Sequence, residues 1–176
     1  MRLLAGLERA LYYTAEHYGL GLLEALGRPA PRLKLRTVRL LPLGAVDPKL
    51  LSRVERRLRE EFGVALVREA ASSDDGMVVR GAFFVPGALR ALGGVRRREG
   101  EALLVVTPRP LTLLPPAGVV ELLRGFYLLL GLAVPLQRVA FVTTLGGRLK
   151  PGRVAETAAH EVAHLKGVHG WPMYRS

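Results

Sequence analysis

The chain has 176 residues, of which 49% are apolar, with a formal charge of +11, four histidines and no cysteine. That length and apolar content suit one domain over 1–176 with a sizeable core. Without cysteine, disulfides, iron–sulfur clusters and Cys-ligated zinc are excluded, so any bound transition metal must sit on His, Asp or Glu.

Residues Leu3 to Leu26 read as a helix, with Leu3, Leu7, Ala10, Leu11 and Ala15 at helical spacing and Gly27 as its stop. Residues 1–35 are therefore expected to form an N-terminal helical extension. Arg36 to Leu43 reads as a strand. Asp47-Pro48 is a helix start, a carboxylate cap followed by proline at the first helical position. Leu50, Leu51, Val54, Leu58 and Phe62 supply the apolar stripe and Gly63 the stop. Glu55–Arg59, Arg56–Glu60 and Arg57–Glu61 stand at i,i+4 spacing on the outer surface.

Val64 to Val67 begins a second strand, Ser72 to Gly76 a turn, Met77 to Val85 a third strand and Glu101 to Thr107 a fourth. Arg96-Arg97-Arg98 reads as a solvated loop. Pro108, Pro110, Pro115 and Pro116 bracket a rigid loop, and Val119 to Leu132 reads as a buried helix. Val139 to Thr144 is a fifth strand, Gly146 to Gly152 a turn, and Arg153 to Lys166 the last helix. Alternating strands and helices argue an α/β or α+β layer with helices packed on a sheet.

No segment reads as a signal or a membrane span. Glu8 and Arg9 interrupt the N-terminal apolar run, and Phe126 to Leu136 is shorter than the roughly 20 residues a span needs. The expectation is a soluble, cytoplasmic protein without a membrane partner; nothing in the sequence sets its oligomeric state. Lysine supplies only Lys34, Lys49, Lys150 and Lys166 of the 26 basic residues; Asn and Ile are absent and Gln occurs once, at Gln137. That skew fits a thermophile, which avoids thermolabile residues, or a GC-rich genome. The arginines are scattered, so nucleic acid is the less favoured partner despite the charge.

The last helix carries the chemistry. His160 and His164 lie four apart, so both rings project from one face and can grip one zinc ion. Glu161 lies at the edge of that face, where a carboxylate can serve as general base toward a water. Gly167 ends the helix, and His169 follows as a candidate third ligand. Three of the four histidines thus fall within ten residues. Glu156 is placed either to hydrogen-bond the His160 ring from behind the metal or simply to complement the helix dipole. Tyr174 is either an oxyanion donor or an ordinary packed tyrosine. His17 has no partner in the sequence, and Trp171 and Pro172 read as anchors of the C-terminal tail.

His160-Glu161-x-x-His164-x-x-Gly167-x-His169 resembles the metzincin zinc signature, and the chain is most similar to the archaemetzincins. The likeness runs from about Val38 to the end and is specific over the last thirty or so residues. It includes Leu40 to Gly44, Phe141 to Thr144, Arg148-Leu149 and the ending Met173-Tyr174-Arg175-Ser176. The resemblance implies a zincin-like mixed sheet packed with helices, with the active-site helix near the C-terminus. It implies one zinc on His160, His164 and His169, Glu161 as general base, a turn at Met173 beneath the metal, and a peptide or protein substrate. Two departures stand out. The third histidine comes one residue early, Gly-x-His where the family has Gly-x-x-His, and the family's downstream cysteines have no counterpart. A second, structural zinc is therefore not expected. Two other readings remain: a catalytically weakened descendant acting as a metal-stabilised binding module, and a metal-dependent endoribonuclease with a His-x-x-x-His helix. The endoribonucleases usually lack a Glu at the position of Glu161.

Overall fold

The computed structural model describes residues 34–79, 81–95, 97–112, 130–145 and 152–167, all within one compact unit, Leu33–Ser176. The expected N-terminal helix, His17, and the expected turn at 146–151 lie outside the described residues.

Strand β1 (Thr37–Pro42) leads into helix α1 (Pro48–Phe62). Local chemistry sets both ends of α1. The Asp47 carboxylate accepts a hydrogen bond from the Lys49 backbone N–H at 2.9 Å, and Pro48, lacking an N–H, sits where none is needed. At the other end Gly63 takes φ 61 and donates its N–H to the Arg59 carbonyl, a left-handed cap that glycine adopts without strain. Leu51, Val54 and Leu58 bury the inner stripe. Outside, Arg57 and Glu61 pair at 3.0 Å, whereas Glu55 turns to Arg68 of the next strand at 2.6 Å. Asp47→Ala is expected to cost about 1 kcal/mol, read as a lower urea midpoint with an unchanged m-value.

Strands β2 (Ala65–Arg68), β5 (Glu101–Thr107), β7 (Gly131–Val134) and β8 (Val139–Thr143) join β1 in a five-stranded sheet ordered β2-β1-β5-β8-β7. The first four are parallel; β7 runs antiparallel to β8, pairing Gly131 with Val142 and Val134 with Val139. The sheet is mixed, as expected. One face, built by Val38, Leu40, Ala102, Leu104, Val106, Ala140 and Val142, packs on α1 and on the last helix, α3 (Arg153–Leu165). On the other face Leu103, Val105 and Phe141 are also buried, with Phe141 against Phe83 at 5.8 Å between ring centroids. Burial on both faces is why β5 reads as an unbroken apolar run rather than an alternating one.

Two expectations change. Met77 to Val85 is not one strand but a hairpin of β3 (Val78–Val79) and β4 (Ala82–Phe84). Gly81 between them takes φ 79, a conformation that suits glycine and breaks the run. Strand β4 then pairs in parallel with β6 (Leu111–Thr112), inside the expected proline-rich loop, to give a second, three-stranded sheet. Helix α2 (Val85–Leu92) follows directly, with a proline in its first turn and no side-chain cap. The second change is at the expected helix Val119 to Leu132. Residues 113–129 lie outside the described set, but Gly131 and Leu132 are strand, because they pair with Val142 and Phe141 of β8. No helix among the described residues is long and apolar enough to cross a membrane.

Candidate metal centre

Helix α3 is pressed into the core by small residues. Ala155, Ala158 and Ala159 lie with Val154, Val162 and Leu165 in the buried cluster, so the helix backbone approaches the sheet closely. Gly167, at φ 75, ends it, and Gly167 N–H donates to the His164 carbonyl at 3.0 Å. Lys166 places its ammonium 5.0 Å from the centre of the Phe62 ring, tying the ends of α3 and α1 together.

On this rigid helix His160 and His164 meet as their spacing requires. Their Nε2 atoms lie 2.9 Å apart, and the rings stand edge-to-face with centroids 4.4 Å apart. Two imidazolium ions cannot share that separation, so at most one ring carries a proton at Nε2. Burial pushes the His160 pKa below the ordinary histidine value, which favours the neutral ring that metals bind. The donor set fits zinc. Two imidazole nitrogens converging from one helix face are donors of the type that zinc takes.

Glu161 is 5% exposed. Its side chain faces β7, against the backbone of Gly131. Glu156 is solvent-exposed in the first turn of α3. Of the two roles considered for Glu156, the bond to His160 is not formed, since the buried Nδ1 of His160 has no hydrogen-bond partner; the helix-dipole role is the one its position suits. His169, Met173 and Tyr174 lie outside the described residues, and among the described residues no group of three His, Asp or Glu side chains could hold a metal ion. Sequence reasoning missed Gly131 and Thr157, which flank Glu161. The available signal was an isolated glycine in an apolar run, Leu130-Gly131-Leu132, a pattern that marks close approach of a neighbour.

The fold has solved counterparts. The structure of archaemetzincin from Methanopyrus kandleri is similar with a TM-score of 0.54 and 22% identity, covering 81% of this chain and 79% of that one. Archaemetzincin from Archaeoglobus fulgidus, solved with malonate, gives 0.56 and 18% over 75% and 78%. A zinc-dependent peptidase from Methanocorpusculum labreanum gives 0.52 and 18% over 74% and 81%. The fold is archaemetzincin-like. No family model and no curated protein matches the sequence, and at these identities the structural likeness shows the fold.

Proposed function

We propose that this protein is a zinc-dependent peptidase. The observation that carries the reading is the convergence of His160 and His164 Nε2 to 2.9 Å beside the buried Glu161. His160 and His164 would hold one zinc ion, with His169 as third ligand and one position left open for water and substrate. Zinc bound there supplies Lewis acidity, which polarises a scissile carbonyl and brings the pKa of a water to about 7. The chain supplies the proton traffic. One Glu161 carboxylate oxygen accepts the proton of the attacking water and then delivers it to the departing amine nitrogen. The buried walls of α3 and β7 keep that carboxylate out of bulk solvent and in one place.

The likeness to a zinc-dependent peptidase supports a peptide or protein substrate over RNA, and so does Glu161 itself, which the endoribonuclease reading does not need. The weakened-descendant reading draws on one feature, the Gly167-Val168-His169 spacing, one residue short of the archaemetzincin pattern.

Elemental analysis of purified untagged protein, paired with cleavage of a peptide library, tests the proposal. The expected result is one zinc per chain and hydrolysis that a chelator abolishes and zinc restores. Protein that takes up no zinc after incubation with the ion overturns it. Zinc without hydrolysis moves the assignment to the binding module.

A further inference from the structure

Gly131 opens β7 in a strand conformation, and it is not among the glycines with positive φ. Its backbone therefore suits any residue. Glycine weakens a strand, so its presence inside one points to a neighbour that comes too close for a side chain. Here the neighbour is on α3. A Cβ placed on Gly131 would lie 2.6 Å from Glu161 Oε1, 2.7 Å from Glu161 Cγ and 2.8 Å from Thr157 Cγ2. All three are far inside the roughly 3.5–4.0 Å at which carbon atoms pack.

We propose that Gly131 is a positioning residue for the reaction: its bare backbone is the wall against which the Glu161 carboxylate is seated. The inference rests on the reading of Glu161 as general base. Thr157 cannot yield to a new methyl group. Its hydroxyl donates to the Arg153 carbonyl at 2.8 Å, which fixes the side-chain rotamer and with it the direction of Cγ2. Glu161 has three rotatable bonds and is the group that would move. With Cγ2 removed by Thr157→Ser, a methyl group at position 131 meets only Glu161 among these contacts and displaces its side chain. The strand in this way removes rotamer freedom from the base before substrate arrives.

The test combines zinc content, kinetics and thermal melts of Gly131→Ala, made in protein carrying Thr157→Ser and compared with Thr157→Ser alone. Zinc is expected at the wild-type level, with kcat reduced by about tenfold or more and KM within about twofold, because the base and not substrate binding is disturbed. An unchanged kcat overturns the proposal. The melts need no activity. In metal-free protein carrying Thr157→Ser, which removes Cγ2 and keeps the hydroxyl, Gly131→Ala is expected to lower Tm by roughly 4 °C or more. In the same protein with Glu161→Ala, less than half of that loss should remain. Equal losses in both backgrounds overturn the proposal, since the glycine then serves the strand alone. Should Gly131→Ala fail to fold, recovery of folding on adding Glu161→Ala supports the contact and its absence refutes it. If wild-type protein cleaves no peptide, the peptidase reading fails, and the melts alone decide whether Gly131 seats Glu161.

Discussion

Glu161→Gln is expected to keep its zinc and lose hydrolysis by about 10²- to 10⁴-fold, the range general-base catalysis supplies. The substitution conserves shape. The amide fills the same volume against Gly131 and Thr157, so the packing of α3 on β7 is preserved. It removes only the ability to take a proton, because an amide oxygen is far too weak a base near neutral pH. Metal content and stability therefore serve as internal controls. Zinc per chain should match wild type, and the melting temperature should not fall, since a neutral side chain costs less to bury than a carboxylate at this 5%-exposed position. A variant that hydrolyses peptide at the wild-type rate would remove Glu161 from the chemistry.

That site was legible in the sequence because it is local. The histidine spacing, the intervening glutamate and the terminal glycine all lie on one helix, where a four-residue interval fixes which side chains share a face. Helix α1 was legible for the same reason: Asp47-Pro48 and Gly63 carry its ends in single residues. Strand β5 was legible because its apolar run, Ala102 to Val106, is bounded by turn residues and too short for a helix. What failed was non-local. The stretch Met77 to Val85 looks uniformly strand-like, and only Gly81 hints at a hairpin; the partner of β4 is β6, nearly thirty residues on. Leu130 to Val134 is apolar without alternation, and such runs do not distinguish a buried helix from a buried strand. The pairing of β7 with β8 decides it. The order of strands in the sheet, and the approach of Gly131 to Glu161 across thirty residues of sequence, are products of packing that no local pattern encodes.

His164→Ala should abolish stoichiometric zinc. Removing one of two nitrogens 2.9 Å apart leaves a single imidazole on α3, and the loss must exceed the ~10–100-fold in affinity that deleting a mere outer partner of a ligand costs. Zinc should also stop stabilising the fold. A ligand that binds only the native state at about 100 times its Kd raises stability by about 2.7 kcal/mol; wild type is expected to show a rise in Tm on zinc addition, and His164→Ala none. Unchanged zinc content in this variant would sink the metal site itself. His169→Ala asks the finer question that the short Gly-x-His spacing raises. If His169 reaches the ion by a tighter turn after Gly167, its loss weakens zinc and cuts hydrolysis together. If zinc binding survives intact, water or another side chain completes the coordination, and catalysis then rests on a two-histidine grip that differs from the pattern the sequence resembles. Measured side by side, the two variants separate a site that holds its metal through the helix alone from one that depends on the chain beyond it.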